Sequence, residues 1–502
     1  MESTESCVIA IDAGTTGVRS RAVFGDHRPA VASYHEFTQH FPKPGWVEHD
    51  ASEIWRAVSA TLSDVVARVG RDNVAAIGIT NQRETVVAWD RVSGEPYGTA
   101  IVWQDRRTAA RCEELAAAGH LPTVRDRTGL VLDPYFSGTK FEWVLRERQL
   151  PVGPQLALGT IDAWLIWKLT GGAVHATDVT NASRTMLLDI RDRAWSDELC
   201  GLLHVPIDAL PEVRPSSGRF GTTAESHGVP GGIPISGVAG DQQAALFGQA
   251  CFDPGMAKNT YGTGSFVLMN VGPDCPPPAE GMLTTIAWEL ADGTVAYALE
   301  GAIFVTGAAI QWLRDGIHVI DTAGEAGAMA ESVSDSGGVY VVPAFTGLGS
   351  PWWDPYARGT ILGITRGSTK AHVTRAVVES IAYQTRDAID AMVKASGTPI
   401  TDLRVDGGAS VMDFLLQMQA DQLGVPVRRP KDQETTALGA AYLAGLAEGV
   451  WDLDAIREAW QLDATFHPAE DRTFPDLFHA QWLRAVERSR GWASRDSASK
   501  ES

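Results

Sequence analysis

Cysteine is scarce in this chain. Its five residues, Cys7, Cys112, Cys200, Cys251 and Cys275, are spread over 502 positions with no C-x-x-C spacing. A disulfide framework or a zinc site needs clustered thiols, so neither is expected, and a reducing cytoplasm fits. Basic charge is also short: 42 Lys and Arg stand against 62 Asp and Glu, a formal charge of −20. Nucleic-acid binders need a basic face to neutralise phosphates, and anionic membrane surfaces attract the same charge. Neither partner is expected. No apolar run approaches the ~18 residues of a membrane helix, so no transmembrane helix and no stable membrane insertion are expected. Residues 1–6 are polar and acidic and lead at once into a short apolar strand, unlike a signal peptide.

Several catalytic signatures are missing as well. There is no G-x-x-x-x-G-K-[ST] phosphate loop and no G-x-S-x-G nucleophile elbow. His35-Glu36 with His40 has the wrong spacing for H-E-x-x-H zinc ligation. What remains is a composition 44% apolar and 21% charged, able to bury a large core. At roughly 100–200 residues per domain, the length predicts two large domains or several small ones.

Residues 8–11 form an apolar run ending at Asp12, residues 13–17 are turn by composition, and residues 18–24 are apolar again. This pattern predicts a strand–turn–strand hairpin. Residues 52–69 place Ile54, Val58, Leu62, Val65 and Val66 at helical spacing. Residues 74–79 read as a buried strand running into Thr80-Asn81-Gln82-Arg83-Glu84. An apolar run over 99–103 ends at Gln104-Asp105, and 162–169 reads as helix. Residues 235–239 read as a strand ending at Gly240-Asp241-Gln242-Gln243, with an apolar helix from Ala244. A second hairpin around Gly262-Thr263-Gly264-Ser265 echoes the first. Beyond it come a strand over 338–345, a long amphipathic helix over 372–393, a strand closing on Asp406-Gly407-Gly408-Ala409-Ser410 where a helix starts, and an Ala/Gly-rich helix over 435–446. The alternation predicts α/β architecture, and the repeated hairpin predicts a duplicated fold. The domains are set at 1–250 and 251–490, dividing near Phe252-Asp253-Pro254-Gly255, with a disordered polar tail over 491–502.

Four segments carry chemistry, and each has a plainer reading. Asp12-Ala13-Gly14-Thr15-Thr16-Gly17 ends a strand with a carboxylate, glycines that let backbone N–H groups approach phosphate, and hydroxyl donors; Arg19 follows. It also suits an ordinary hairpin turn, but a second loop at Gly262-Thr263-Gly264 would let two loops clamp one triphosphate. Gly407-Gly408 stands where a strand meets a helix N-terminus, a favoured nucleotide position and a common turn. Asp241 is a base for an alcohol proton or a helix cap. Arg83-Glu84 can hydrogen-bond vicinal hydroxyls of a polyol or form a solvated surface pair. Trp103 and Tyr135 could wall a carbon chain or pack in a core.

Together these segments resemble the FGGY carbohydrate kinases, and within that family the branch acting on glycerol. The resemblance runs from about residue 7 to about 485. Its specific stretches are Ile79-Thr80-Asn81-Gln82-Arg83-Glu84-Thr85, Tyr135-Phe136-Ser137-Gly138-Thr139-Lys140, Asn181-Ala182-Ser183-Arg184-Thr185-Met186, the run from Gly240 to Gly248, and the run from Gly347 to Gly359. It implies a duplicated actin-like/ribonuclease H-like ATPase fold, two domains with a central cleft, and ATP-dependent phosphorylation of glycerol with Mg²⁺. Arg83, Glu84, Tyr135 and Asp241 would hydrogen-bond glycerol with Gln242 nearby, and Trp103 and Phe266 would line its carbon face. Asp241 would be the general base. Thr15, Thr16, Arg19 and Thr263 would bind the phosphates, and Gly307, Gln311 and Gly408 the nucleoside end. Mg²⁺ would sit by Asp12 and Asp241, mainly through water. A homodimer or homotetramer is implied.

This sequence departs from the family pattern in places. Met412 stands where Asn is frequent, which puts a nucleotide contact in doubt, and Gly17 stands where Ser is common. Pro230-Gly231-Gly232 lacks the Arg of a loop that binds fructose 1,6-bisphosphate in some bacterial members, so weak or no inhibition is expected. His227 lies near the position phosphorylated by a phosphocarrier protein in some Gram-positive members; an unmodified surface histidine is the plainer reading. Rival functions are a family kinase of a pentulose, gluconate or another polyol, and a non-catalytic actin-like ATP-binding protein.

Overall fold

The computed structural model describes residues 6–25 and 28–493; the expectations for the first five residues and for the tail over 494–502 lie outside them. Residues 491–493 are tied back onto the body: the Gly491 N–H donates to Asp354 and the Ala493 N–H to the Tyr356 carbonyl.

Two large sheets repeat one plan. In the first half, Cys7–Ala13 and Gly17–Phe24 form the opening hairpin, and Val31–Glu36 adds antiparallel to it. On the other side Val74–Asn81 and then Pro234–Gly240 add in parallel, and Ser217–Thr222 closes the edge antiparallel. In the second half, Met256–Tyr261 and Ser265–Gly272 form the hairpin, flanked by Val295–Ile303. Asp402–Gly407 and Val427–Pro430 add in parallel on the far side, and Leu462–Phe466 closes antiparallel. Among the described residues, Leu283–Glu289 adds to the plan outside Val295–Ile303.

The central strand of the first sheet is apolar at nearly every position because both its faces are covered. Cys7, Ile9 and Ile11 pack towards the helix Ala51–Val69, which is N-capped by the Asp50 side chain. Val8 and Ala10 pack towards Ala437, Ala440 and Ala444 of the helix Thr435–Ala447, which belongs to the second half of the chain. That helix also meets Asp241–Gly248 backbone to backbone. A Cβ on Gly439 would lie 1.8 Å from the Ala244 carbonyl oxygen, and one on Gly248 would lie 2.0 Å from that of Thr435. The small residues of 435–447 are thus what lets the two halves close on each other. Gly439→Val is expected to destabilise the fold by about 3 kcal/mol through overpacking, read as a lowered midpoint in thermal unfolding.

The structure shortens two expected elements. The strand read over 338–345 pairs only at Tyr340–Val342, because Pro343 has no N–H to continue the ladder. The helix read from Ser410 begins as a single tight turn, Gly408–Val411, and the α-helix proper is Asp413–Leu423 after Met412. All five cysteines are unpaired, four of them buried. Among the described residues, no helix is long and apolar enough to cross a membrane.

Candidate active site

The strand Val74–Asn81 delivers its C-terminal end beside the first glycine loop, and the next three residues build the site. Gln82 is anchored to that loop by its N–H on the Ala13 carbonyl (2.9 Å) and its side-chain amide on the Gly14 carbonyl (3.0 Å). Glu84 then adopts φ 60°, and the Thr85 N–H closes back on the Arg83 carbonyl at 2.8 Å. This tight three-residue turn is strained for a residue with a side chain. It leaves Arg83 and Glu84 buried, so the surface-pair reading does not hold.

Two partners not singled out by sequence reasoning hold this pair. Glu300, on the strand Val295–Ile303 of the second half, accepts from both terminal nitrogens of Arg83 at 2.5 and 3.2 Å. Arg184 donates to Glu300 at 2.8 Å and to Glu84 at 2.7 Å. All four side chains are at most 2% exposed, so the two charges of each sign balance out of water. Burial alone would raise the Glu300 carboxyl, but Arg184 and Arg83 outweigh it and hold it at about 2. Its one sequence signal is a lone acid inside the run Val-Ala-Tyr-Ala-Leu-Glu-Gly-Ala-Ile. Arg184 lies in the stretch Asn181-Ala182-Ser183-Arg184-Thr185-Met186 that carries the resemblance, with no role read for it there.

Arg83 also donates to Gln243 (3.1 Å) and to the Tyr135 hydroxyl (3.3 Å), and its Nε lies 3.2 Å from Asp241 Oδ1. Asp241 is the first residue of its helix, with Gly240 rather than Asp241 at the cap, and its carboxylate accepts the Gln242 N–H at 2.7 Å. The side chain is 29% exposed, open on one side and enclosed on the others. Burial pushes its carboxyl up, against the pull of Arg83 and Lys258. Lys258, itself fully buried, donates to Gln242 and to Thr260; burial lowers its ammonium to about 8. Asp12, at the end of the opening strand, is raised to about 7 by burial and by the Asp241 charge.

Arg83, Glu84, Trp103, Tyr135, Asp241, Gln242 and Phe266 line one small pocket. The Trp103 ring meets Tyr135 edge-on at 5.7 Å and Phe266 at 6.5 Å, closing an aromatic wall. The two glycine loops stand nearby. The Trp103 indole donates to Thr15 at 3.1 Å, and Phe266 stands on the strand that leaves the second loop. Each loop closes on itself, Gly14 N–H to the Gly17 carbonyl at 3.0 Å and Gly262 N–H to the Gly264 carbonyl at 2.8 Å. Gly307 joins the second loop through its N–H on the Gly262 carbonyl, at 3.0 Å, and begins the short helix that ends at the exposed Gln311. Gly407 packs against Tyr261, where a Cβ would lie 2.5 Å from its carbonyl oxygen; a Cβ on Gly408 would meet nothing within 4 Å. Gly407 is therefore required by packing, whereas Gly408 leaves free space beside the turn. Thr16 is exposed on the first loop. Arg19 is ion-paired with Glu434 from the second half and lies over the Tyr34 ring at 5.6 Å. A roomier cavity of about 710 Å³, lined by Tyr442, Trp451 and Trp460 among others, contains none of the predicted site residues.

A carboxylate of raised basicity, an anchored arginine–glutamate pair and two glycine loops thus meet around one small pocket, and comparison with known proteins names the family. Residues 7–248 match the FGGY family of carbohydrate kinases, N-terminal domain, and residues 257–448 its C-terminal domain. The chain belongs to the FGGY family of carbohydrate kinases. It is 56% identical to the glycerol kinase of Symbiobacterium thermophilum, over 97% of this chain and 99% of that one. It is 54% identical to glycerol kinase 2 of Thermotoga maritima at the same coverage. The crystal structure of Plasmodium falciparum glycerol kinase with ADP superposes with a TM-score of 0.92 at 35% identity, covering 97% of this chain and 98% of that one. The gluconate kinase of Lactobacillus acidophilus, 22% identical with a TM-score of 0.85, shares the fold.

Within this FGGY chain the departures have structural settings. Gly17 leaves room for Tyr34, whose hydroxyl would lie 2.5 Å from a Cβ there. Met412 packs beside Gly327 of the helix Glu325–Glu331. The 230–232 loop has the Arg71 Nε donating to the Gly231 carbonyl at 3.4 Å. His227 is exposed, with Ser226 2.6 Å from its Nδ1.

Proposed function

We infer that this chain transfers the γ-phosphoryl group of ATP to a terminal hydroxyl of glycerol, giving sn-glycerol 3-phosphate and ADP in the cytoplasm. The observation that carries this reading is the position of Asp241, in one pocket with Arg83, Glu84 and the Trp103–Tyr135–Phe266 wall. Arg83 donates to a substrate hydroxyl and Glu84 accepts from one, so the pair orients the polyol. The closed aromatic wall favours a short carbon chain over a ketose. Asp241 accepts the hydroxyl proton as the oxygen attacks, and its raised basicity suits that role. Thr15, Thr16, Arg19 and Thr263 hold the phosphates, with Gly307, Gln311 and Gly408 at the nucleoside end. Closure of the cleft aligns the groups and excludes water, which would otherwise take the phosphoryl.

Asp12 and Asp241 fit a divalent cation: each repels the other, and Asp12 is pushed up to about 7 in this state. Mg²⁺ would be held by these two carboxylates mainly through water, together with the phosphate oxygens. When bound, Mg²⁺ would neutralise charge on the phosphates.

A coupled ADP-release assay with glycerol, dihydroxyacetone, xylulose and gluconate tests the reading. Glycerol is expected to give the highest kcat/KM, and xylulose or gluconate exceeding it would reassign the substrate. Incubation with a phosphocarrier system followed by mass spectrometry of the His227 loop is expected to show no phosphohistidine.

A further inference from the structure

Trp103 serves two sites at once. Its ring is part of the polyol wall, against Tyr135 and Phe266. Its indole N–H leaves that wall and donates to the Thr15 hydroxyl on the first phosphate loop, at 3.1 Å. Its backbone N–H donates to the Thr85 hydroxyl at 3.2 Å, Thr85 donates to the Gln82 side chain at 2.8 Å, and Gln82 donates to the Gly14 carbonyl at 3.0 Å. The indole residue therefore grips both sides of one loop turn, Gly14 through two relays and Thr15 directly.

A threonine hydroxyl has one proton and two lone pairs. With the indole N–H occupying a lone pair of Thr15, the hydroxyl proton is left to donate outward, the polarity a phosphate oxygen requires. A polyol pressed against the indole face restrains the ring, and with it the direction of that proton. We infer that Trp103 is a positioning residue that couples occupancy of the polyol pocket to the affinity of the first phosphate loop for ATP, through its bond to Thr15. This rests on the reading of the pocket as the glycerol site. Coupling of this kind is reciprocal: glycerol tightens ATP binding by the factor by which ATP tightens glycerol binding. An empty pocket leaves the loop less well ordered, which disfavours transfer to water when no acceptor is present.

The test is the affinity of a non-hydrolysable ATP analogue, with Mg²⁺, measured calorimetrically with and without saturating glycerol. In the unsubstituted protein glycerol is expected to tighten the analogue by about fivefold or more. Trp103→Phe keeps an aromatic wall and removes the N–H. With glycerol raised to saturate whatever affinity this wall variant retains, the tightening should be lost. Thr15→Val removes the same bond from its other end. It should also lose the tightening, and the double variant should lose no more than either single one. A Trp103→Phe protein that folds, binds glycerol and keeps the full tightening would overturn the inference, as would an unsubstituted protein that binds both ligands independently. In both cases the glycerol reading stands. If the unsubstituted protein binds the analogue but not glycerol, the reading of the pocket fails, and this inference fails with it.

Discussion

Replacing Asp241 with Asn should lower kcat with glycerol by about a thousandfold, the usual scale for a lost general base. An amide of the same shape keeps the hydrogen bond from the Gln242 N–H but cannot take the substrate proton. It also removes the negative charge that faces Arg83 Nε at 3.2 Å and repels Asp12. Nucleotide affinity in the absence of metal should therefore hold or improve, because one anion fewer faces the phosphates. Steady-state kinetics and titration with an ATP analogue separate the two effects. A scaffold that binds ATP without chemistry would show no change in turnover to begin with. An Asp241→Asn enzyme retaining a tenth or more of kcat would remove this residue from the reaction.

Glu300→Gln is the second large effect, and it acts at a distance from any reacting atom. The substitution is isosteric but leaves two buried guanidinium groups with one fully buried carboxylate, Glu84, and the partly open Asp241 beside Arg83. Breaking a buried pair of this kind costs about 3–5 kcal/mol of stability, so a lowered thermal midpoint is expected. The more informative result is kinetic. Arg83, released from its two-pronged hold, is free to pair more fully with Asp241, which its Nε already approaches. The arginine then faces the base instead of the polyol, and kcat/KM for glycerol should fall on the order of a hundredfold, the scale of a misplaced orienting group. Affinity for the ATP analogue alone should change little, because Glu300 is bonded to Arg83 and Arg184 and to neither glycine loop. Equal losses on both substrates would mark Glu300 as structural support alone.

Much of this site was legible in the chain because its chemistry is written in contiguous runs. Asp12-Ala13-Gly14-Thr15, Gln82-Arg83-Glu84 and Gly240-Asp241-Gln242 each sit where a buried strand ends, and strand ends in such sheets open onto the cleft. Both hairpins could be read from their glycine turns, and the long helices from their 3.6-residue spacing. The strand over 338–345 was overread because an apolar run carries no record of where its pairing partner stops. Glu300 and Arg184 were missed for a related reason. Their meaning lies in partners a hundred or more residues away, Glu84 with Arg184 and Glu300 with Arg184.

The order of residues alone determined the duplicated α/β plan and the paired glycine turns, because local spacing sets strand, turn and helix. Only the tertiary structure decided that the arginine–glutamate pair is buried and held from the opposite half, and that Trp103 bridges wall and loop. It also decided that Arg19 rests on Glu434 rather than standing free. These are contacts between segments far apart in the chain, chosen by which apolar faces cover each other, and no local pattern records that choice.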